Sequence, residues 1–364
     1  METTENKVRE PLFHITKRAA MPWQKSWGIR LIAIVAALLF CGILSLIVIG
    51  ANPIDFYSAL LKGSLGSQRK IWKFVKDASV LLCISLAVTP AFRMKFWNTG
   101  AEGQTLMGAL ATAACMFYLG GKVPDALLIL IMFAAALLAG GIWGTIPAIF
   151  RAIWGTNETL FTLMMNYVAT CFVSYCLIIW TPNGSSSLGI LPNGHLPTVG
   201  NEYLLIILIA AVLTVAMYVY LYYSKHGYEI SVVGESYKTA CYIGIDVKKV
   251  IIRTMVLSGV LCGLAGFLIV GGLDHSVTTE TVGGRGFTAI MVSWLAKFNP
   301  AVMAITSLLI VFLSQGAAQV SQNFNISPAF PDMITGIILF FIIGCEFFIE
   351  YKVNFRSRKK GGEQ

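Results

Sequence analysis

Charge is scarce in this chain. Of its 364 residues only 12% are Asp, Glu, Lys or Arg, against roughly a quarter in a soluble domain, while 56% are apolar and the mean hydropathy is +0.73. A soluble fold cannot bury that much apolar surface, and no polar gap between residues 31 and 350 is long enough for a separate soluble domain. Also missing is any Gly-x-x-x-x-Gly-Lys-Ser/Thr phosphate loop, so an ATPase would have to be a separate chain. The eight cysteines form no Cys-x-x-Cys pair and fall almost entirely inside apolar runs, which leaves neither a disulfide framework nor a metal site in view. His14, His195, His226 and His275 are scattered too widely to suggest zinc ligands, and no nucleophile set stands out. No catalytic residue, metal or cofactor is therefore expected in this chain.

What is present is a series of apolar runs. A helix needs about 20 mostly apolar residues to cross a bilayer, fewer if neighbours shield it. Ten segments qualify or nearly so: Arg30–Gly50, Asp77–Phe92, Gly100–Leu119, Asp125–Phe150, Glu158–Trp180, Glu202–Tyr223, Lys249–Leu273, Gly286–Ala296, Ala301–Val320 and Pro331–Ile349. The second and eighth are short, as half-helices or spans buried in a bundle are. The first run is longer than a signal-peptide core and is followed by Ala51-Asn52-Pro53, so it reads as a retained helix. The expected fold is all-α, a polytopic membrane bundle of about ten spans. It comprises a basic cytoplasmic segment 1–29, a membrane domain 30–350 and a basic tail 351–364.

Alternating sides from a cytoplasmic N-terminus places twenty Lys and Arg inside and seven outside, in keeping with the positive-inside rule. Both ends are then cytoplasmic. The turn-rich 181–201 loop carries no Lys or Arg and lies outside. One stretch objects: Lys62, Arg69, Lys70, Lys73 and Lys76 would all be external, which calls for a surface helix there or for different boundaries of the first two spans.

Polar residues at apolar borders are the functional candidates. In FRMKFWNTGAEGQ, from Phe92, they are Asn98, Glu102 and Gln104; Glu102 suits equally well a structural part, paired with Arg93 or Lys95 or capping a helix. A second Gly-rich break, Gly283-Gly284-Arg285-Gly286-Phe287-Thr288, opens the eighth segment. Two interrupted segments in comparable positions of two halves suit a transporter with its substrate path between them. Phe96, Trp97, Phe287 and Trp294 are placed to stack on a ring-containing solute, and an interfacial aromatic belt explains them as well. Gly140-xxx-Gly144 and Gly259-xxx-Gly263 offer small faces for close helix packing. The stretch 225–249, with Gly227, Gly234 and Gly244 punctuating helix-forming pieces, is either an ordinary connection or a rigid element able to receive force from a peripheral motor.

Four blocks carry a resemblance: AFRMKFWNTGAEGQ from Ala91, GTNETLFTLMMNYVA from Gly155, GESYKTACYIGI from Gly234 and GGRGFTAIMVSWLAKFNP from Gly283. They resemble the permeases of branched-chain amino acid, ribose and nucleoside ABC importers, most closely the nucleoside or simple-sugar branch, over about residues 52–344. The resemblance implies alternating access for a nucleoside or related sugar. It implies as partners a cytoplasmic ATPase, a second permease subunit and an extracytoplasmic substrate-binding lipoprotein, at the plasma membrane and without nucleic acid. By the same resemblance Gly234, Glu235, Ala240 and Gly244 belong to the helix that docks the ATPase, and Asn98, Glu102, Gln104 and Asn166 to the substrate pathway, where Phe287 and Trp294 join them as candidate stacking rings. Thr99, Arg285, Thr288 and Lys297 depart from the family's habit, which leaves open a shifted substrate or a specialised half of a heterodimer. A gradient-driven carrier or channel, and a membrane protein without flux, are the competing readings.

Overall fold

The structure is a computed structural model that describes residues 13–18, 22–50, 52–181, 187–198, 200–327 and 329–355. Among these residues the elements in chain order are β1 (Phe13–Lys17), α1 (Trp23–Ile49), α2 (Pro53–Leu65), α3 (Gln68–Arg93), α4 (Ala101–Leu119), α5 (Asp125–Trp154) and α6 (Glu158–Trp180). They continue with α7 (Leu204–Tyr223), α8 (Lys225–Glu235), α9 (Tyr237–Tyr242), α10 (Val247–Ile269), α11 (Arg285–Leu295), α12 (Pro300–Phe324), α13 (Ala329–Glu350) and β2 (Tyr351–Phe355). A single π-helical turn, Val270–Asp274, extends α10. Seven of the described helices are long and apolar enough to cross a membrane. The expected ten thus include three weaker segments. α3 is charged over its first turns, α4 opens on the polar Glu102, Gln104 and Thr105, and α11 has only 11 residues.

The second span runs further than the sequence suggested. α3 begins at Gln68, where Ser67 caps it by accepting from the Lys70 backbone N–H, so Arg69, Lys70, Lys73 and Lys76 lie on the helix itself. Charge masked its N-terminal turns from a hydropathy reading. Lys76 is buried there and pairs with Asp77 at 3.1 Å.

The described chain forms two compact bodies, residues 65–312 and residues 1–64 with 313–364. In the first, α10 is the central helix and packs against α3, α4 and α5. Glycines set that approach. A Cβ at Gly140 would lie 2.4 Å from the Gly259 carbonyl oxygen, one at Gly263 would lie 2.2 Å from that of Ala136, and one at Gly108 would lie 2.6 Å from the Gly263 Cα. Backbones this close gain dispersion along their whole length, the main attraction available where lipid removes the hydrophobic drive between helices.

In the second body α1 packs on α13, with Arg30 donating to Glu346 from both Nε (2.9 Å) and Nη2 (2.7 Å). β1 and β2 pair antiparallel, Phe13 opposite Phe355 and Lys17 opposite Tyr351. This two-stranded ribbon is an addition to the all-α expectation. It brings the start of α1 and the end of α13 to one end of the body.

The glycine junction generates a stability prediction. Gly263→Val forces a side chain into the α5 backbone and is expected to cost about 2 kcal/mol or more. Gly336→Ala, at a position with nothing within 4 Å, is expected to cost nothing. Thermal melts of the purified protein check this. Equal melting of the two variants would contradict the junction.

Candidate functional site

The two interrupted segments singled out in the sequence meet in space. Gly108, seven residues into α4, touches Gly263, which also touches Gly140 at the middle of the 30-residue α5. At 1.5 Å per residue α4 therefore starts about 10 Å along its axis from the level of α5's middle, a depth within the hydrocarbon of a bilayer centred on α5. A helix beginning there exposes N–H groups that no water can satisfy, each costing several kcal/mol if unmet. Residues from other helices satisfy them. Asn166 of α6 accepts from the Gly103 N–H at 2.9 Å and donates to the Thr99 carbonyl at 2.9 Å. Glu102 of α4 in turn caps α11: its Oε1 accepts from the Gly284 N–H at 2.8 Å and its Oε2 from the Gly286 N–H at 2.7 Å. α11 has no side-chain cap of its own.

Glu102 is thus a cap, of α11 rather than of its own helix, and its first partner Gly284 lies 182 residues further along the chain. Arg93 is engaged elsewhere, donating to the Leu221 carbonyl and lying 4.8 Å over the Tyr222 ring. Asn98 and Gln104 are buried and bonded to one another, Asn98 Nδ2 to Gln104 Oε1 at 3.3 Å and Gln104 Nε2 to Asn98 Oδ1 at 3.1 Å. Asn98 also donates to Ser258 of α10 at 3.1 Å. Thr99 ties the same turn to α6, donating to the Thr159 carbonyl at 3.1 Å. All four hold the break between α3 and α4 in shape.

The two aromatic candidates sit differently. Phe287 and Trp294 are 43% and 47% exposed on one face of α11, with Met291 between them. The Trp294 ring lies 5.5 Å from that of Trp97, with Phe92 and Phe298 at 6.3 and 5.4 Å. This half-open ring cluster can take a flat group by stacking. Arg285, at the head of the same helix, lies 4.0 Å from Asp77.

Beyond α7 stands a second candidate site. Three caps build it: Ser224 accepts from Gly227 N–H, Ser236 from Thr239 N–H and Asp246 from Lys249 N–H, starting α8, α9 and α10 in turn. Gly234 lets α8 lie on the end of α3, since a Cβ there would be 2.2 Å from the Arg93 carbonyl oxygen. Ala240 is buried in a cluster with Met94, Phe96, Ile230, Val233, Val247 and Val250. Arg253 bonds Glu229 at 2.8 Å, and that bond holds the Glu229 carboxyl below the usual range. Of the four sequence candidates, Gly234 and Ala240 face inward, while Glu235 and Gly244 are exposed. The tip's apolar residues escaped notice: Tyr237, Tyr242 and Ile243, with Tyr242 92% exposed. Three large apolar groups within seven residues of a polar connection were the available signal.

Sequence spacing also hid a histidine pair. At the end of α10 away from this tip, the His195 and His275 rings stack at 3.8 Å and 13°. Backbone bonds from Leu188 to Val277, Leu191 to His275 and Leu196 to Gly271 fasten the two segments that carry them.

Residues 70–343 match the family model described as the branched-chain amino acid transport system permease component. The chain belongs to this permease family. It is 27% identical to the glucose ABC transporter permease protein TsgB13 of Haloferax volcanii over 95% of this chain and 94% of that one. It is 28% identical to the guanosine permease protein NupP of Bacillus subtilis and 29% to the nucleoside permease protein NupB of Lactococcus lactis, each over 92% of this chain and 97% of the relative. Among solved structures, an inward-facing ABC transporter of metal-chelate type aligns with 89% of this chain and 98% of its own, at a TM-score of 0.44 and 13% identity. The protein is thus a multi-pass membrane permease subunit of an ABC transporter, not an enzyme.

The histidine pair generates a pH prediction. Burial and the neighbouring His195 lower the His275 pKa, against the pull of Asp274 and Glu202. The unfolded chain therefore binds this proton at about pH 6.5 and the folded chain only below that. The stability it contributes is full above pH 6.5 and is lost as pH falls toward the folded value. Melting temperatures at pH 7.5 and 5.5 are expected to diverge less for His275→Asn than for the wild type. An unchanged pH slope would contradict the assignment.

Proposed function

We propose that this permease subunit imports nucleosides or related sugars by alternating access. The motor is a separate cytoplasmic ABC ATPase, and the working pore needs a second, different permease subunit. An extracytoplasmic substrate-binding lipoprotein delivers the solute. Both chain termini lie in the cytoplasm of a plasma-membrane protein. The names of its relatives support the substrate class, two of the three being nucleoside or guanosine permeases. So does the half-open cluster of Trp97, Phe287 and Trp294, because stacking suits a nucleobase. In this reading Phe287 and Trp294 line the solute path, and Glu102, Asn98, Gln104 and Asn166 brace the wall behind them.

The observation that carries the ATPase reading is the α8–α9 element. It is rigidly seated through Gly234 and Ala240, yet presents Tyr237, Tyr242, Ile243 and Glu235 outward. An apolar tip surrounded by polar residues has the composition of a protein contact, in which one aromatic anchor can supply most of the binding energy. Gly244, at a φ of +82°, ends α9 so that the chain can return to α10.

The test pairs two measurements. Tyr242→Asp is expected to reduce ATPase retention by the purified permease about ten-fold or more, with uptake falling in parallel; Glu235→Ala is expected to have a smaller effect. Retention and uptake both unchanged in Tyr242→Asp would remove the docking assignment. A panel of nucleosides, sugars and amino acids titrated against the purified binding lipoprotein is expected to show nucleosides or pentose and hexose sugars bound, and amino acids not.

A further inference from the structure

α11 is bounded at both ends by backbone in the left-handed region. Gly283 and Gly284 precede it at φ of +61° and +75°, and Lys297 and Phe298 follow it at +49° and +60°. Lys and Phe adopt that conformation only where their surroundings compel it, and such sites concentrate at switch regions. Between these ends the buried face of α11 is made of Gly286, Ala289, Val292 and Ser293. These are small side chains with little interdigitation to undo. Beside the Trp294 ring contacts, three polar attachments fasten the helix: the Glu102 cap at its head, the Arg285–Asp77 pair, and a Ser293 Oγ to Thr89 Oγ1 hydrogen bond of 2.9 Å.

Glu102 is also the inner end of a continuous line of contacts from the docking element. Gly234 of α8 abuts the Arg93 carbonyl, Met94 and Phe96 pack in the cluster with Ile230, Val233 and Ala240, and Asn98 and Thr99 fix the turn that delivers Glu102. A displacement of α8 and α9 therefore reaches α11 through groups in direct contact. We propose that α11 is the moving gate of transport and that Glu102 is its positioning residue, a latch through which the docking element sets α11 and its aromatic face. This rests on the permease reading above. It differs from a direct role of Glu102 in binding solute, because the carboxylate acts on the α11 backbone.

Three measurements test it. In vesicles holding the assembled transporter, Glu102→Ala is expected to lower the maximal uptake rate about ten-fold or more while KM changes less than about three-fold, since two charge-assisted bonds are lost and no solute contact is. Glu102→Gln, able to accept one of the two bonds, is expected to recover part of the rate. A raised KM at an unchanged rate, or no effect at all, would overturn the latch. For a chain freed of its eight native cysteines, the pair Thr89→Cys and Ser293→Cys is expected to close under oxidant, stop uptake while the ATPase stays bound, and release it under reductant. Full-rate uptake in the oxidised form would overturn a moving α11. This arm keeps Glu102 and so stands even where Glu102→Ala fails to fold. A nitroxide at Met291→Cys separates the two levels of the argument. Its spectrum is expected to report greater mobility in Glu102→Ala whether or not solute moves, and an unchanged spectrum would defeat the latch. A wild type that carries no solute defeats the permease reading alone.

Discussion

A helix that begins inside a bilayer must have its first N–H groups met by protein, because no water is there to meet them. That requirement organises the centre of this molecule. α4 starts about 10 Å along its axis from the level of α5's middle and is capped from α6 by Asn166, while α11 is capped from α4 by Glu102. Each cap comes from another element, so the placement of α11 depends on α4 and that of α4 on α6. The glycine junction of α4, α5 and α10 supplies the fixed frame around them.

From this frame follows the division of labour. In the proposed function residues 225–249 are the docking element: three side-chain caps in a row start three helices, and Gly234 with Ala240 seats the element on the end of α3. The membrane part holds a polar brace and, in front of it, an aromatic face on α11. Membership of an ABC permease family implies that the ATPase and the substrate-binding protein are separate components of the system.

Much of this was legible in the sequence, for identifiable reasons. Apolar runs and charge asymmetry give the membrane bundle, since lipid tolerates few alternatives to a helix. Gly140, Gly144, Gly259 and Gly263 announced a close contact because spacing by four puts small residues on one face. The start of α3 was misplaced because hydropathy counts Arg69, Lys70 and Lys73 as polar whether or not a helix carries them. Asn98, Glu102 and Gln104 were found as polar residues at apolar borders and Asn166 through the family resemblance, but not their partners, which lie up to 184 residues away along the chain. The His195–His275 stack depends on tertiary placement that no local pattern encodes, whereas the Tyr237–Ile243 tip left a local signal in its three large apolar groups on a polar connection.

The central claim is that this chain provides a path and a docking element while energy comes from a partner's ATP hydrolysis. The most direct measurement is solute uptake into vesicles containing this chain, its ATPase, the second permease and the binding lipoprotein, with ATP and ion gradients varied independently. The account predicts uptake that requires ATP, persists when ionophores collapse every gradient, and vanishes when the ATPase is omitted. Uptake by the permease without the ATPase, driven by an imposed gradient, would contradict it.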